Sequence, residues 1–118
     1  MKLVNKKEFL KMHEGAVYFE KVKDPSDAMW LGCLHIKGES CGDVDFFNID
    51  LLNPLLSPEM NEEIFKSFER LDNGENLKID FNCSGRDGMY DDTDMYYVLD
   101  KDDVKSLLDV ITEAYKTY

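Results

Sequence analysis

A chain of 118 residues with 43% hydrophobic and 33% charged positions can bury one core but not two, and its composition excludes a disordered polymer. The formal net charge of −11 argues against nucleic acid as a direct partner, because phosphate binding needs clustered Lys or Arg. No apolar run approaches the ~20 residues that span a bilayer, and Met1-Lys2-Leu3-Val4 leads into charged residues rather than a signal-peptide core. The expectation is one domain over residues 1–118, in the cytoplasm of the cell that makes it, with no membrane partner.

The N-terminal segment Asn5-Lys6-Lys7-Glu8 is a capping-box pattern and predicts a short helix through about His13, burying Phe9 and stopping at Gly15. Residues Ala16 to Val22 predict a strand with Val17 and Phe19 on one face and Tyr18 on the other. Asp24-Pro25-Ser26-Asp27 reads as a turn. Met29 to Lys37 is apolar on both faces, which suits a strand near the centre of a sheet, left by a turn at Lys37-Gly38-Glu39-Ser40. Val44 to Leu52 predicts a strand followed by an irregular apolar segment.

Ser57-Pro58-Glu59 is a helix start, and Met60, Ile64, Phe68 and Leu71 form an apolar stripe that Asn73-Gly74 terminates. Leu77, Ile79, Phe81 and Cys83 alternate with polar residues, and Met95, Tyr97 and Leu99 do the same after a polar turn, so these two strands are expected to pair as a hairpin. Asp100-Lys101-Asp102-Asp103 caps a last helix whose Val104, Leu107, Leu108, Ile111, Ala114, Tyr115 and Tyr118 are expected to pack on the sheet. The fold class that follows is α+β: a mainly antiparallel sheet of four to five strands, two longer helices packed on it, and a short N-terminal helix.

Catalytic chemistry finds little support. Cys33, Cys41 and Cys83 are an odd number without metal-ligand spacing, and His13 and His35 are far apart in sequence, so neither a disulfide framework nor a zinc site is indicated. Cys33 and Cys83 fit the core as small hydrophobes. No catalytic residue, metal site or cofactor is expected, and the chain is read as not an enzyme.

The turn between the last two strands concentrates the polar functional groups, and Arg86, Asp87, Tyr90, Asp91, Asp92, Asp94 and Tyr96 are the candidate binding residues. Asp87, Asp91, Asp92 and Asp94 lack the alternation of a calcium loop and fit better as turn-capping carboxylates. Arg86 is read as a buried residue between two glycines, rigidifying the loop by pairing with Asp87 or Asp91. Alternatively it clamps a phosphate or carboxylate beside Tyr90, Tyr96 or Trp30. Charge is uneven: six Lys face four acids from Met1 to Asp24, whereas seventeen acids face five bases from Asp43 to Asp103.

Asp80-Phe81-Asn82, Gly85-Arg86-Asp87-Gly88-Met89-Tyr90-Asp91 and Tyr97-Val98, with Lys7-Glu8-Phe9-Leu10 and Leu34-His35-Ile36-Lys37-Gly38, resemble a group of small proteins encoded by bacteriophages and prophages. The specific part is the Gly85 to Gly88 turn. The resemblance implies a phage context, in which small acidic proteins without catalytic motifs bind and disable a host defence component. The first expectation is therefore a non-catalytic inhibitor whose acidic face meets a host protein, one with a basic nucleic-acid-binding site being the natural target. Two alternatives stand beside it: a small-molecule binder that sequesters a nucleotide-type signal around Arg86, and a structural or accessory phage protein. A homo-oligomer joined through Phe46-Phe47 or the Tyr115-Tyr118 end would assist the small-molecule reading.

Overall fold

The structure is a computed structural model that describes residues 1–24, 34–51, 64–77, 81–82, 84–88 and 91–118. Its elements are β1 (Lys2–Asn5), α1 (Lys6–Leu10), β2 (Val17–Glu20), β3 (His35–Cys41), β4 (Asp45–Asp50), α2 (Ile64–Asp72), β5 (Ser84–Arg86), β6 (Met95–Val98) and α3 (Lys101–Tyr115). The fold is α+β, with one antiparallel sheet of six strands in the order β1-β6-β2-β3-β4-β5. The strand count exceeds the expected four to five because β1, only four residues long, is too short for a visible period. No helix among the described residues is long and apolar enough to cross a membrane.

Local signals were read correctly where they are strong. Asn5 caps α1 by accepting from the Glu8 amide at 2.9 Å, although the helix closes at Leu10 rather than near His13. The alternation of β2 holds, but the two faces differ in depth: Tyr18 is fully buried while Val17 and Phe19 are half-buried. Strand β3 lies inside the sheet, between β2 and β4. It does not leave the sheet at Lys37; a register shift between Lys37 and Ser40 absorbs Gly38, and the chain turns later, at Gly42 with φ +65°. The bulge lets β3 press on β4, since a Cβ on Gly38 would meet the Phe47 Cβ and carbonyl oxygen at 3.1 Å each.

The core is a cluster of rings around Phe9. Its ring stacks on Tyr96 at 4.1 Å between centroids and meets Tyr18 at 4.6 Å and Phe46 at 5.0 Å edge to face, with Val4, Ala16 and Val98 completing the packing. Such pairs contribute roughly 0.5–1.5 kcal/mol each beyond area burial. Phe46 on β4 and Tyr96 on β6 lie 5.9 Å apart although β2 and β3 separate their strands. Three inter-strand steps in a flat sheet would span about 14 Å. The sheet therefore curls around Phe9, and that curl brings the loop after β5 over to β6.

Three expectations are corrected here. The described part of the proposed hairpin does not pair with β6: Phe81 lies in a turn and is 53% exposed, while β5 pairs with β4 through Phe47↔Arg86, Asn48↔Gly85 and Ile49↔Ser84. Strand β6 is instead held between β1 and β2, whose register satisfies both of its edges. Most of the stripe of α3 does not pack on the sheet: Val104 and Leu107 are half-buried, no residue of the helix is buried, and Leu108, Ile111, Tyr115 and, beyond the helix end, Tyr118 are 60%, 57%, 74% and 101% exposed. On α2, Phe68 and Leu71 are likewise exposed and Ser67 is buried. The expected turn at residues 24–27, all of the strand at 29–37 before Leu34, the helix start at 57–59, and Trp30, Cys33, Met60, Ile79 and Cys83 lie largely outside the described residues; Asp24 itself is a described bend.

Candidate functional site, an acidic loop over a buried charge cluster

Strand β5 sets the site by its pleat. Arg86 pairs with Phe47 in the sheet, so the next residue, Asp87, belongs to the opposite face, and its amide donates to the Phe46 carbonyl at 2.9 Å. Arg86 and Asp87 thus diverge to two different environments.

On one side, Arg86 meets Asp45, a partner that the sequence reading did not name. Oδ2 of Asp45 accepts from Arg86 Nε at 2.8 Å and Nη2 at 2.5 Å, and Oδ1 accepts from the amides of Phe46 and Gly88 at 2.9 Å each. Gly88 reaches this position with φ +70°. Burial of the Asp45 carboxyl works to raise its pKa, but the Gly88 amide, the Arg86 guanidinium and the Phe46 amide outweigh it and hold the group below the usual carboxylate range. Arg86 itself is not the buried residue expected, since its side chain is 51% exposed. It lines a shallow cleft of about 260 Å³ with Cys41, Val44 and Phe47.

On the other side, Asp87 joins Asp94, Glu20 and Tyr96 around Lys6. Glu20 lies opposite Tyr96 in the sheet, on the Tyr18 face of β2. Lys6 enters from the first turn of α1, three residues before Phe9, and its side chain is 2% exposed. Its Nζ lies 3.8 Å from Asp87 Oδ2, 4.0 Å from Asp94 Oδ2 and 5.6 Å from the centre of the Phe46 ring. Lys6 Nζ and the Tyr96 hydroxyl are buried without a hydrogen-bond partner.

Three acids around one buried cation force a proton onto the cluster. Burial and then the charges of Asp87 and Asp94 push Glu20 up to about 7, where it shares a hydrogen bond with Asp87. Burial raises the Tyr96 and Tyr18 hydroxyls well above the usual tyrosine range; Tyr18 accepts from Asn48 Nδ2 at 3.0 Å. His35 stacks on Tyr18 at 5.2 Å, and burial lowers its pKa, so the imidazole is neutral at pH 7.

The outer part of the loop is ordered by its own polar groups. Asp91 accepts from the Thr93 amide at 2.9 Å and hydroxyl at 2.7 Å, the turn-capping role that its sequence suggests. Lys23 bridges Asp91 and, at 3.2 Å, Asp94. These contacts hold Asp91 far below the usual carboxylate range, the Lys23 ammonium first and Thr93 second. Asp94 therefore ties the buried Lys6 to the exposed Lys23, and the loop is anchored at both ends.

Of the sequence candidates, the fold brings Asp87, Asp94 and Tyr96 together, sends Arg86 to Asp45, and leaves Asp92 exposed on the rim of a concavity that it shares with Asp43 and with Lys6, Lys7 and Lys11. Tyr90 lies outside the described residues. Tyr96 is fully buried against Phe9, so no surface ligand stacks on it. The sequence reading missed Lys6, Glu20, Lys23 and Asp45. Period would have found two of them: Glu20 follows Tyr18 by two on its strand and Lys6 precedes Phe9 by three on its helix, each on the inward side. Among the described residues, no group of three His, Cys, Asp or Glu side chains is placed to hold a metal ion. No protein-family model, no curated protein and no solved structure matches this chain.

Proposed function

We propose that this chain is a phage-type, non-catalytic binding protein that disables a host defence protein by direct contact through its acidic surface. The observation that carries this reading is the preorganisation of the acidic loop. Lys23, Thr93 and the buried cluster hold residues 91–94 in one arrangement before any partner arrives, so Asp92 is presented without an ordering cost. The excess of acids between Asp43 and Asp103 adds long-range attraction to a basic partner and speeds the encounter.

The test uses Asp43 and Asp92, which are exposed and line one concavity together with Lys6, Lys7 and Lys11. The protein is mixed with a bacterial host lysate, complexes are recovered, and the affinity of any captured host protein is measured at low and high salt. The double variant Asp43→Lys, Asp92→Lys is expected to weaken the complex about tenfold to a hundredfold at low salt and to flatten its salt dependence. A complex with unchanged affinity, or no captured protein at all, overturns the proposal.

A second reading, a pocket for a nucleotide-type ligand, is favoured by the cleft beside Arg86. It requires the guanidinium to serve the ligand while Asp45 holds two of its N–H donors. Arg86→Ala abolishing the uptake of ribonucleotides from the lysate supports this reading, and unaltered uptake removes it.

A further inference from the structure

The cluster under the acidic loop holds more carboxyls than its lysines can serve at once: Glu20, Asp87, Asp91 and Asp94 meet Lys6 and Lys23. The carboxyls differ in what else they can reach. Glu20 stands on β2, which is paired on both sides, by β3 and by β6. Asp87 follows β5 directly, and its amide donates to the Phe46 carbonyl at 2.9 Å. Asp94 lies 4.0 Å from Lys6 Nζ but 3.2 Å from Lys23 Nζ, and the Lys23 side chain is 65% exposed. Glu20 and Asp87 are thus fixed to the sheet, whereas Asp94 has a second cation within reach toward solvent.

We infer that this cluster is a proton-operated switch that sets where Asp94 rests. While Glu20 holds its proton it shares a hydrogen bond with Asp87, and Asp94 lies between Lys6 and Lys23. When that proton passes to water, Glu20 and Asp87 repel each other, Lys6 is drawn between them, and Asp94 turns outward to Lys23. Lys6 is equipped for the exchange. Its ammonium is buried without a hydrogen-bond partner, 3.8 Å and 4.0 Å from its two carboxylates, so its donors are open to a third.

The neighbouring groups leave this proton to Glu20. Tyr96 faces it across the sheet on β6 and Tyr18 precedes it on β2, and burial first of all holds both hydroxyls far above the usual tyrosine range. His35 on β3 stacks on Tyr18 and is lowered from 6.5 by burial, and Asp50 on β4 lies opposite His35. The two tyrosines and His35 therefore stay neutral from pH 6.5 to pH 9. Residues 91–94 move as a unit, because Asp91 accepts from the Thr93 amide and hydroxyl and is bridged to Lys23. They carry the exposed Asp92, so the switch sets how far the acidic rim stands off the core, a consequence that alone rests on the acidic-surface reading.

The experiment is nuclear magnetic resonance of the isotopically labelled full chain, without a partner, from pH 5 to pH 9. The Glu20 carboxyl carbon is expected to titrate near pH 7. Nuclear Overhauser contacts between the Lys6 and Asp94 side chains are expected at pH 5 and should fall severalfold by pH 8. Glu20→Gln, the isostere of the protonated acid, keeps those contacts at both pH values and leaves His35 to titrate as before. Contacts that persist at pH 8 in the wild type, or that fall equally in Glu20→Gln, overturn the inference, as does a Glu20 carboxyl that titrates in the ordinary carboxylate range. No result here bears on the acidic-surface complex, which the Asp43 and Asp92 variant tests separately.

Discussion

The ammonium of Lys6 lies 3.8 Å from Oδ2 of Asp87, so the first residue of α1 and the residue after β5 meet inside the curled sheet as opposite charges. Their side chains are 2% and 7% exposed, and Asp94, 11% exposed, closes the group from the β6 side. Breaking one partner of a buried ion pair is far more costly than never having built it, because the remaining charge stays out of water. The acidic loop is thereby coupled to the core: what holds Asp94 in place is a lysine that packs beside Phe46.

Lys6→Met keeps the volume and removes the charge. At pH 8 it is expected to lower the free energy of unfolding by about 3 kcal/mol, because Glu20, Asp87 and Asp94 then have no buried cation. Urea titration gives the number directly, and a loss under about 1 kcal/mol would show that water already compensates these carboxyls.

The raised pKa of Glu20 makes stability depend on pH with a definite sign. Between its ordinary value of 4.5 and about 7, the folded chain holds a proton that the unfolded chain releases. Its contribution is complete below 4.5 and is lost as pH rises through 7, by about 2 kcal/mol once the carboxyl's partial contact with water is allowed for. His35, lowered from 6.5, works in the opposite direction, since the unfolded chain takes up the proton there and stability falls as pH drops below 6.5. The difference between wild-type and Glu20→Gln unfolding curves at several pH values cancels the His35 contribution. That difference should favour the variant increasingly from pH 5 to pH 8, and a flat difference rules out the protonated Glu20.

Asp45→Ala leaves the amide of Gly88 and two N–H groups of Arg86 without their acceptor, and it is expected to cost about 2–3 kcal/mol. Because the folded pKa of Asp45 lies below 3.8, its contribution is present above that value and is lost as pH falls through the folded pKa. Thermal melts at pH 7 and pH 3 should therefore separate the wild type from the variant by more at pH 7. Equal separations would place the stabilisation elsewhere.

Two glycines are expected to fail on substitution for different reasons. Gly38→Ala drives a Cβ to 3.1 Å from the Phe47 carbonyl oxygen, backbone that cannot easily give way, and should cost about 1–3 kcal/mol. Gly74→Ala meets nothing within 4 Å, but φ +83° penalises any L side chain, at about 1 kcal/mol. Gly74→Asn should recover part of that loss and Gly38→Ser none of its own, as read by chemical denaturation.

The elements whose signals are local were legible without a structure. Asn5 and Asp100 cap their helices as their spacing indicates, the Asp100 cap through a reciprocal box with Asp103, and Gly74 ends α2 with positive φ. The period of two placed Tyr18 opposite Val17 and Phe19; the apolar stretch expected to make a central strand, Met29 to Lys37, overlaps β3 only at residues 35–37, and β3 itself is largely polar although it lies inside the sheet. In the loop, the turn-capping role of Asp91 followed from its own neighbours.

Pairing and burial were decided only by the assembled fold. A period of two says which residues share a face but not which strand lies alongside, and β5 found β4 while β6 was taken by β1 and β2. The same long-range choice sent Arg86 to Asp45 rather than leaving it inside its own turn, and the curl of the sheet brought Lys6, Glu20, Asp87 and Asp94 together from four separate segments. The stripe of α3 carries the lesson in reverse: amphipathic spacing dictates that a helix face is to be covered, whereas the surface that covers it is a property of space, and from Leu108 onward that face is exposed.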